Sequence, residues 1–156
     1  MNIKFIEGDL LDSTTDIICH QVNGQGVFNS GVAKCIRDKY PSVYSSYKQY
    51  CKMLDIYEKP KLGLIHISNI GDNRFVCNLF GQDKYGYDGK RYTSYDAVYD
   101  GLENLKNHML INNLTSVSFP YQMSSFRGGA RWEIIYCMIC EVFKDTNIKI
   151  EIWRLG

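Results

Sequence analysis

Apolar residues in this chain follow two rhythms. In "IKFIEG", "DIICHQV", "LGLIHIS", "RFVCNLFG", "SVSFP" and "IKIEIWRL" they alternate with polar residues or run together over a few positions, the pattern of strands. In "SGVAKCIRDKY", "VYSSYKQYCKML", "SYDAVYDGLENLKNHMLINN" and "RWEIIYCMICEVFKD" they recur every three or four residues, the pattern of helices. Val98, Leu102, Leu105 and Met109 mark one helix face, with Thr93 or Ser94 placed to cap it. Ile135, Ile139 and Val142 mark another. "NIGDN" between the third and fourth strands predicts a hairpin-like turn. The predicted order is β-β-α-α-β-β-α-β-α-β. Strands mixed with helices over this length predict one three-layer α/β domain with a mixed sheet, spanning residues 1–156.

Composition narrows the partners rather than the fold. With 156 residues the chain can bury one sizeable core. A formal net charge of +1 argues against a surface dedicated to nucleic acid or membrane. No run approaches the roughly 18 apolar residues of a membrane span. Six cysteines at an even count invite a disulfide reading. The chain is too long to need staples, and "MNIKFIEGDL" lacks the apolar core of a signal peptide, so reduced thiols and a cytoplasmic location are expected. Cys137 and Cys140 form C-x-x-C within a helical pattern, and no second pair completes a metal set. Neither a metal nor a resident cofactor is expected. Twelve tyrosines read as packing and surface residues.

Three loops carry more small residues than a turn requires: Gly8 to Leu11, His20 to Gly31, and Tyr121 to Arg131. In α/β sheets, ligands sit in loops at the carboxyl ends of strands. Two glycine-rich strand-to-helix loops suggest backbone amides that clamp a diphosphate from two sides. Gly24-Gln25-Gly26 starts a G-x-G-x-x-G, but Asn29 takes the third position and no acidic strand end follows, which disfavours a dinucleotide fold. No G-K-[ST] is present, so a P-loop is excluded.

At these residues the chain resembles a macro domain, the α/β/α module that binds ADP-ribose. "EGDLLDSTTDIICHQVNGQGVFNSGVAKCI" looks like the family's first strand, its "GD[IL]" motif, second strand and diphosphate loop. "SYDAVYDGLENLKNHMLINNLTSVSFPYQ" looks like its long helix and the strand that follows, and "RWEIIYCMICEVFKDTNIKIEIWRL" like its last helix and strand. "GVAK" after the first loop resembles the terminal ADP-ribose protein glycohydrolase branch and its bacterial and phage relatives. The resemblance implies a carboxylate at Asp9 for the adenine amino group, with the Leu10 backbone against the ring. It implies amides of Ser30, Gly31 and Val32 on the phosphates, Asn23 on the distal ribose, and a second phosphate loop from Ser124 through Ser125 and Phe126 to Arg127. Trp153 or Leu155 would wall the adenine. Plainer readings stand beside these: a cap for Asp9, a left-handed turn former for Asn23, an edge-strand aromatic for Trp153.

The departures concern chemistry. Where family hydrolases read "G-x-G" in the second loop, this chain reads Ser124-Ser125-Phe126, which implies a tighter pocket for the distal ribose. The branch's nucleophilic lysine is matched by Gln82, with Lys84 two residues on. An amide cannot form the covalent intermediate that such a lysine supports. "RGGAR" supplies no carboxylate, and Ala33 stands where another hydrolase branch keeps an acid. The remaining catalytic candidates are Asn23, to position water, and His20, as a base near neutral pH or as a structural residue. Two functions stay open. One is hydrolysis of a distal-ribose substituent, either an ADP-ribosyl group on a macromolecule or the 1″-phosphate. The other is binding of ADP-ribose, or of a signal derived from it, without chemistry. The expected partners are ADP-ribose or a derivative and an ADP-ribosylated macromolecule, met by a monomer.

Overall fold

The computed structural model describes residues 2–29, 31–125 and 127–156. Six strands form one mixed sheet: β1 (Asn2–Glu7), β2 (Ile17–Val22), β3 (Ile65–Gly71), β4 (Arg74–Phe80), β5 (Ser116–Pro120) and β6 (Lys149–Arg154). Their spatial order is β1-β6-β5-β2-β4-β3. Neighbours run parallel except β3 and β4, whose antiparallel hairpin turns at Asp72 and Asn73, both at positive φ.

Four α-helices cover the two faces: α1 (Gly31–Lys39), α2 (Pro41–Ile56), α3 (Tyr95–Ile111) and α4 (Trp132–Phe143). Pro41 opens α2 at the first helical position, where its missing N–H costs nothing. Ser94 rather than Thr93 caps α3, accepting from Ala97 N at 3.2 Å. Because successive side chains of a strand point to opposite faces, β2 feeds two cores. Ile17 and Cys19 pack with Leu102, Leu105 and Ile139 beneath α3 and α4. Ile18 and Val22 pack with Phe28, Ile36 and Tyr47 beneath α1 and α2. The fold is the three-layer α/β/α arrangement with a mixed central sheet that the pattern predicts. The carboxyl ends of β2, β4, β5 and β6 converge at one rim of that sheet.

Candidate functional site

A cleft of about 980 Å³ opens at this rim. Its walls come from the segments after β1 and β2, the start of α1, the segment after β4, and the chain that follows β5 and β6. Asp9, Leu10, His20, Asn23, Gly31, Val32, Ser124, Ser125, Arg127, Trp153 and Leu155 all line it. Thus the described members of the predicted set meet in one place. Ser30 and Phe126 lie outside the described residues.

The first half of the cleft is made of backbone. Asp9 is the N-cap of a short 3₁₀ turn, Leu10–Asp12, and its Oδ1 accepts from Leu11 N at 2.9 Å. The plainer reading of Asp9 therefore holds for one carboxylate oxygen, while the residue still borders the cleft. Gly31 begins α1 at φ +62, and a Cβ there would meet nothing within 4 Å. The first turn of a helix leaves its N–H groups without intrahelical partners and carries the positive end of the helix dipole. In α1 that turn faces the cleft.

Asn23 is tied into the loop itself. Its Nδ2 donates to Val27 O at 2.8 Å, and its Oδ1 accepts from Gln25 N at 2.9 Å and from the Tyr47 hydroxyl at 3.1 Å. The same hydroxyl donates to Asn23 O and accepts from Gly26 N. Asn23 does not take a positive φ, so it shapes the loop through side-chain bonds, not as a left-handed turn former. Most of its hydrogen-bonding capacity is used there.

Of the two readings open for His20, a base or a structural residue, its surroundings support the structural one. Its ring is 1 % exposed in β2, with Nε2 2.6 Å from Asn78 Oδ1. Asn78 Nδ2 reaches His66 Nδ1 at 3.1 Å, and His66 Nε2 lies 3.1 Å from Ser46 Oγ. Burial, only partly offset by the Asn78 bond, lowers the His20 pKa to about 4. Such a ring stays neutral at pH 7, and His20 stands in a polar ladder across β2, β4 and β3, the surroundings of a structural residue.

Trp153 lies on β6, between β1 and β5, so it is not on an edge strand. Its indole N–H donates to Glu151 Oε1 at 2.9 Å, and Gly8 packs against the ring so closely that a Cβ there would lie 3.0 Å from Cζ3. The indole is held as a fixed wall. Leu155 stands 78 % exposed at the mouth.

The second half is made of side chains. Gln21 Nε2 donates to Gln82 Oε1 at 2.7 Å and to Thr93 Oγ1 at 2.8 Å, and Gln21 Oε1 accepts from Ser124 Oγ. Gln82 Nε2 in turn donates to Lys84 O at 2.8 Å. Gln82 is 8 % exposed and held at both ends of its amide. Ser124 takes φ +71, a left-handed conformation that a serine adopts at some cost. Its hydroxyl is turned onto Gln21, and its carbonyl accepts from Ala130 N and Thr93 Oγ1, both at 3.0 Å. The Ser125 N–H is committed to Gln122 O at 3.0 Å, so this amide is not among those open to an anion. Tyr85, Gly86 and Tyr87 complete this side, and the Arg127 guanidinium lies 4.4 Å from the Tyr87 ring centre. Lys84 is exposed and is absent from the lining. The sequence reasoning missed Gln21, Thr93, Tyr85 and Tyr87. The one available signal was the tyrosine-rich run "DKYGYDGKRY", which reads equally as surface.

Among the described residues no cluster of three or more His, Cys, Asp or Glu side chains could hold a metal, and no helix is long and apolar enough to cross a membrane. No family model matches the sequence. Human ADP-ribose glycohydrolase OARD1 is 25 % identical over 98 % of this chain and 91 % of its own length. The macrodomain of Thermus aquaticus DarG superposes with a TM-score of 0.79 at 20 % identity, over 99 % of this chain and 97 % of that one. Thermosipho africanus DarTG in complex with ADP-ribose superposes at 0.78 and 18 % identity, over 98 % of this chain and 41 % of that one.

Proposed function

The chain has the macrodomain fold, and from that premise we propose that its cleft binds ADP-ribose. The observation that carries this reading is the start of α1: a glycine at φ +62 opening a helix whose first amides face a cleft large enough for a nucleotide sugar. The diphosphate would lie across the Gly31 and Val32 amides. The Asp9 carboxylate oxygen not used in the cap would accept from the adenine amino group, with Leu10 and Trp153 against the ring. The second loop, with Ser124 and Arg127, would close on the diphosphate and distal ribose. Calorimetry should show one-to-one binding at roughly micromolar affinity, about −8 kcal/mol. Ligand at 100 times Kd should raise stability by about 2.7 kcal/mol. No heat and no thermal shift at millimolar ADP-ribose would overturn the proposal.

One observation favours a second reading, hydrolysis of a substituent on the distal ribose: the human relative that matches 98 % of this chain is named an ADP-ribose glycohydrolase. In this chain the route cannot run through a lysine at position 82, where an amide is held by Gln21 and the Lys84 carbonyl. It would need water as the nucleophile. Release of ADP-ribose from a modified macromolecule, or of phosphate from ADP-ribose 1″-phosphate, separates this reading from binding alone.

A further inference from the structure

Gln21 sits on β2 with its side chain on the α3 side of the sheet, and three residues distant in sequence meet on its one amide. Toward Gln82 it reaches the start of the tyrosine segment 83–92, and toward Thr93 it reaches that segment's end. Toward Ser124 it reaches the second loop. The backbone closes the same circuit. Gln82 bridges Thr93, Ser94 N donates to Gly81 O at 2.8 Å, and the Tyr92 and Thr93 amides donate to Gly128 O at 2.9 and 3.0 Å. Space has been cleared for this amide: a Cβ at Gly81 would collide with Gln21 Oε1, and one at Gly128 would lie 3.0 Å from Gln21 Nε2. Both Nε2 hydrogens are used and Oε1 is occupied, so Gln21 itself presents little to a ligand. Its reach is through others: Ser124 in the second loop, and Tyr85 and Tyr87, which face the cleft from the segment that Gln82 and Thr93 anchor.

We propose that Gln21 is a positioning residue that locks the tyrosine segment and the second loop into one unit, and that this unit, not the Asp9 side of the cleft, sets recognition of the distal half of the ligand. The proposal rests on ADP-ribose as the ligand. A residue acting only on global stability would weaken every ligand alike. A residue acting through this unit weakens ligands that reach it and spares those that do not.

The test compares ADP-ribose with AMP, which carries the adenine, one ribose and one phosphate. Titrations followed by NMR on Gln21→Leu should show ADP-ribose weakened roughly tenfold, the scale of losing one or two buried hydrogen bonds, with AMP unchanged. Thr93→Val removes one arm at nearly constant volume and should give the same selective loss at smaller size, which keeps the test open should Gln21→Leu fail to fold. Equal loss for both ligands, or no loss for either in the folded variant, overturns the proposal. Failure of the unsubstituted protein to bind ADP-ribose would instead overturn the ligand assignment, so the two failures are distinguishable.

Discussion

The two halves of the cleft are built by different means. From Gly8 to Leu11 and from Asn23 to Val32 the chain offers backbone: a 3₁₀ turn capped by Asp9, a loop closed on itself by Asn23, and a helix start at Gly31. From Gln82 to Thr93 and from Tyr121 to Arg131 it offers a side-chain circuit centred on Gln21. A backbone site reads shape and negative charge and tolerates changes of side chain at most positions. A side-chain circuit depends on each member, because a partner left alone in a buried network costs more than the bond was worth. The glycine-made half suits the part of a ligand that does not vary, the diphosphate. The circuit suits the part that does.

The largest effect should come from filling the backbone half. Gly31→Glu places a carboxylate where the structure leaves open space, at the helix end that favours anions. The left-handed φ costs the new residue about 1 kcal/mol, small against a domain stability of about 5–15 kcal/mol, so the fold should persist. ADP-ribose binding should fall by roughly a hundredfold or more, about 3 kcal/mol. Normal binding by a variant with an unchanged far-ultraviolet spectrum would show that this loop is not the cradle.

A smaller effect should follow at the adenine end. Asp9→Ala removes a charge-assisted bond worth about 1.5–3 kcal/mol for ADP-ribose and should leave ribose 5-phosphate, which has no base, unaffected. The same change removes the cap on Leu11, so stability should drop by about 1 kcal/mol whether or not ligand is present. Equal losses of affinity for the two ligands would reduce Asp9 to its capping role and leave the backbone half without an adenine contact.

This division also explains what could be read before folding. The hydrophobic rhythm specified the six strands and four α-helices, because burial on two faces of a sheet imposes it locally, but not the 3₁₀ turn Leu10–Asp12. The glycine-rich loop before α1 was legible for the same reason: Gly24, Gly26 and Gly31 lie within eight positions of one another, and a loop followed by a helix is a local pattern. The circuit was not legible. Gln21 meets Gln82, Thr93 and Ser124 at separations of 61, 72 and 103 residues, and no spacing in the sequence announces such meetings. His20 stayed open between a base and a structural residue, because its surroundings are set by Phe28 and by a bond to Asn78, 58 residues away. For Trp153 the plainer alternative of an edge-strand aromatic stayed open beside the adenine wall because strand order, with β6 inside β1, is a global property.

The smallest expected effect is the sharpest probe of the circuit. Lys84 stands two residues from the position where the resembling branch keeps its nucleophile, and here its side chain is exposed and outside the lining while its carbonyl holds Gln82. Lys84→Ala keeps that carbonyl. It should therefore change neither ADP-ribose affinity nor turnover of an ADP-ribosylated substrate. Borohydride treatment during turnover, followed by mass spectrometry, should find no ADP-ribose fixed to Lys84, because a neutral amide at Gln82 and water as nucleophile leave no imine to reduce. A stable adduct at Lys84 would mean that the segment after β4 rearranges to bring the amine into the cleft, and breaking Gln82 away from Gln21 is one way to free it. In that event the circuit would be a switch that opens, and Gln21→Leu should raise the yield of adduct instead of merely weakening the ligand.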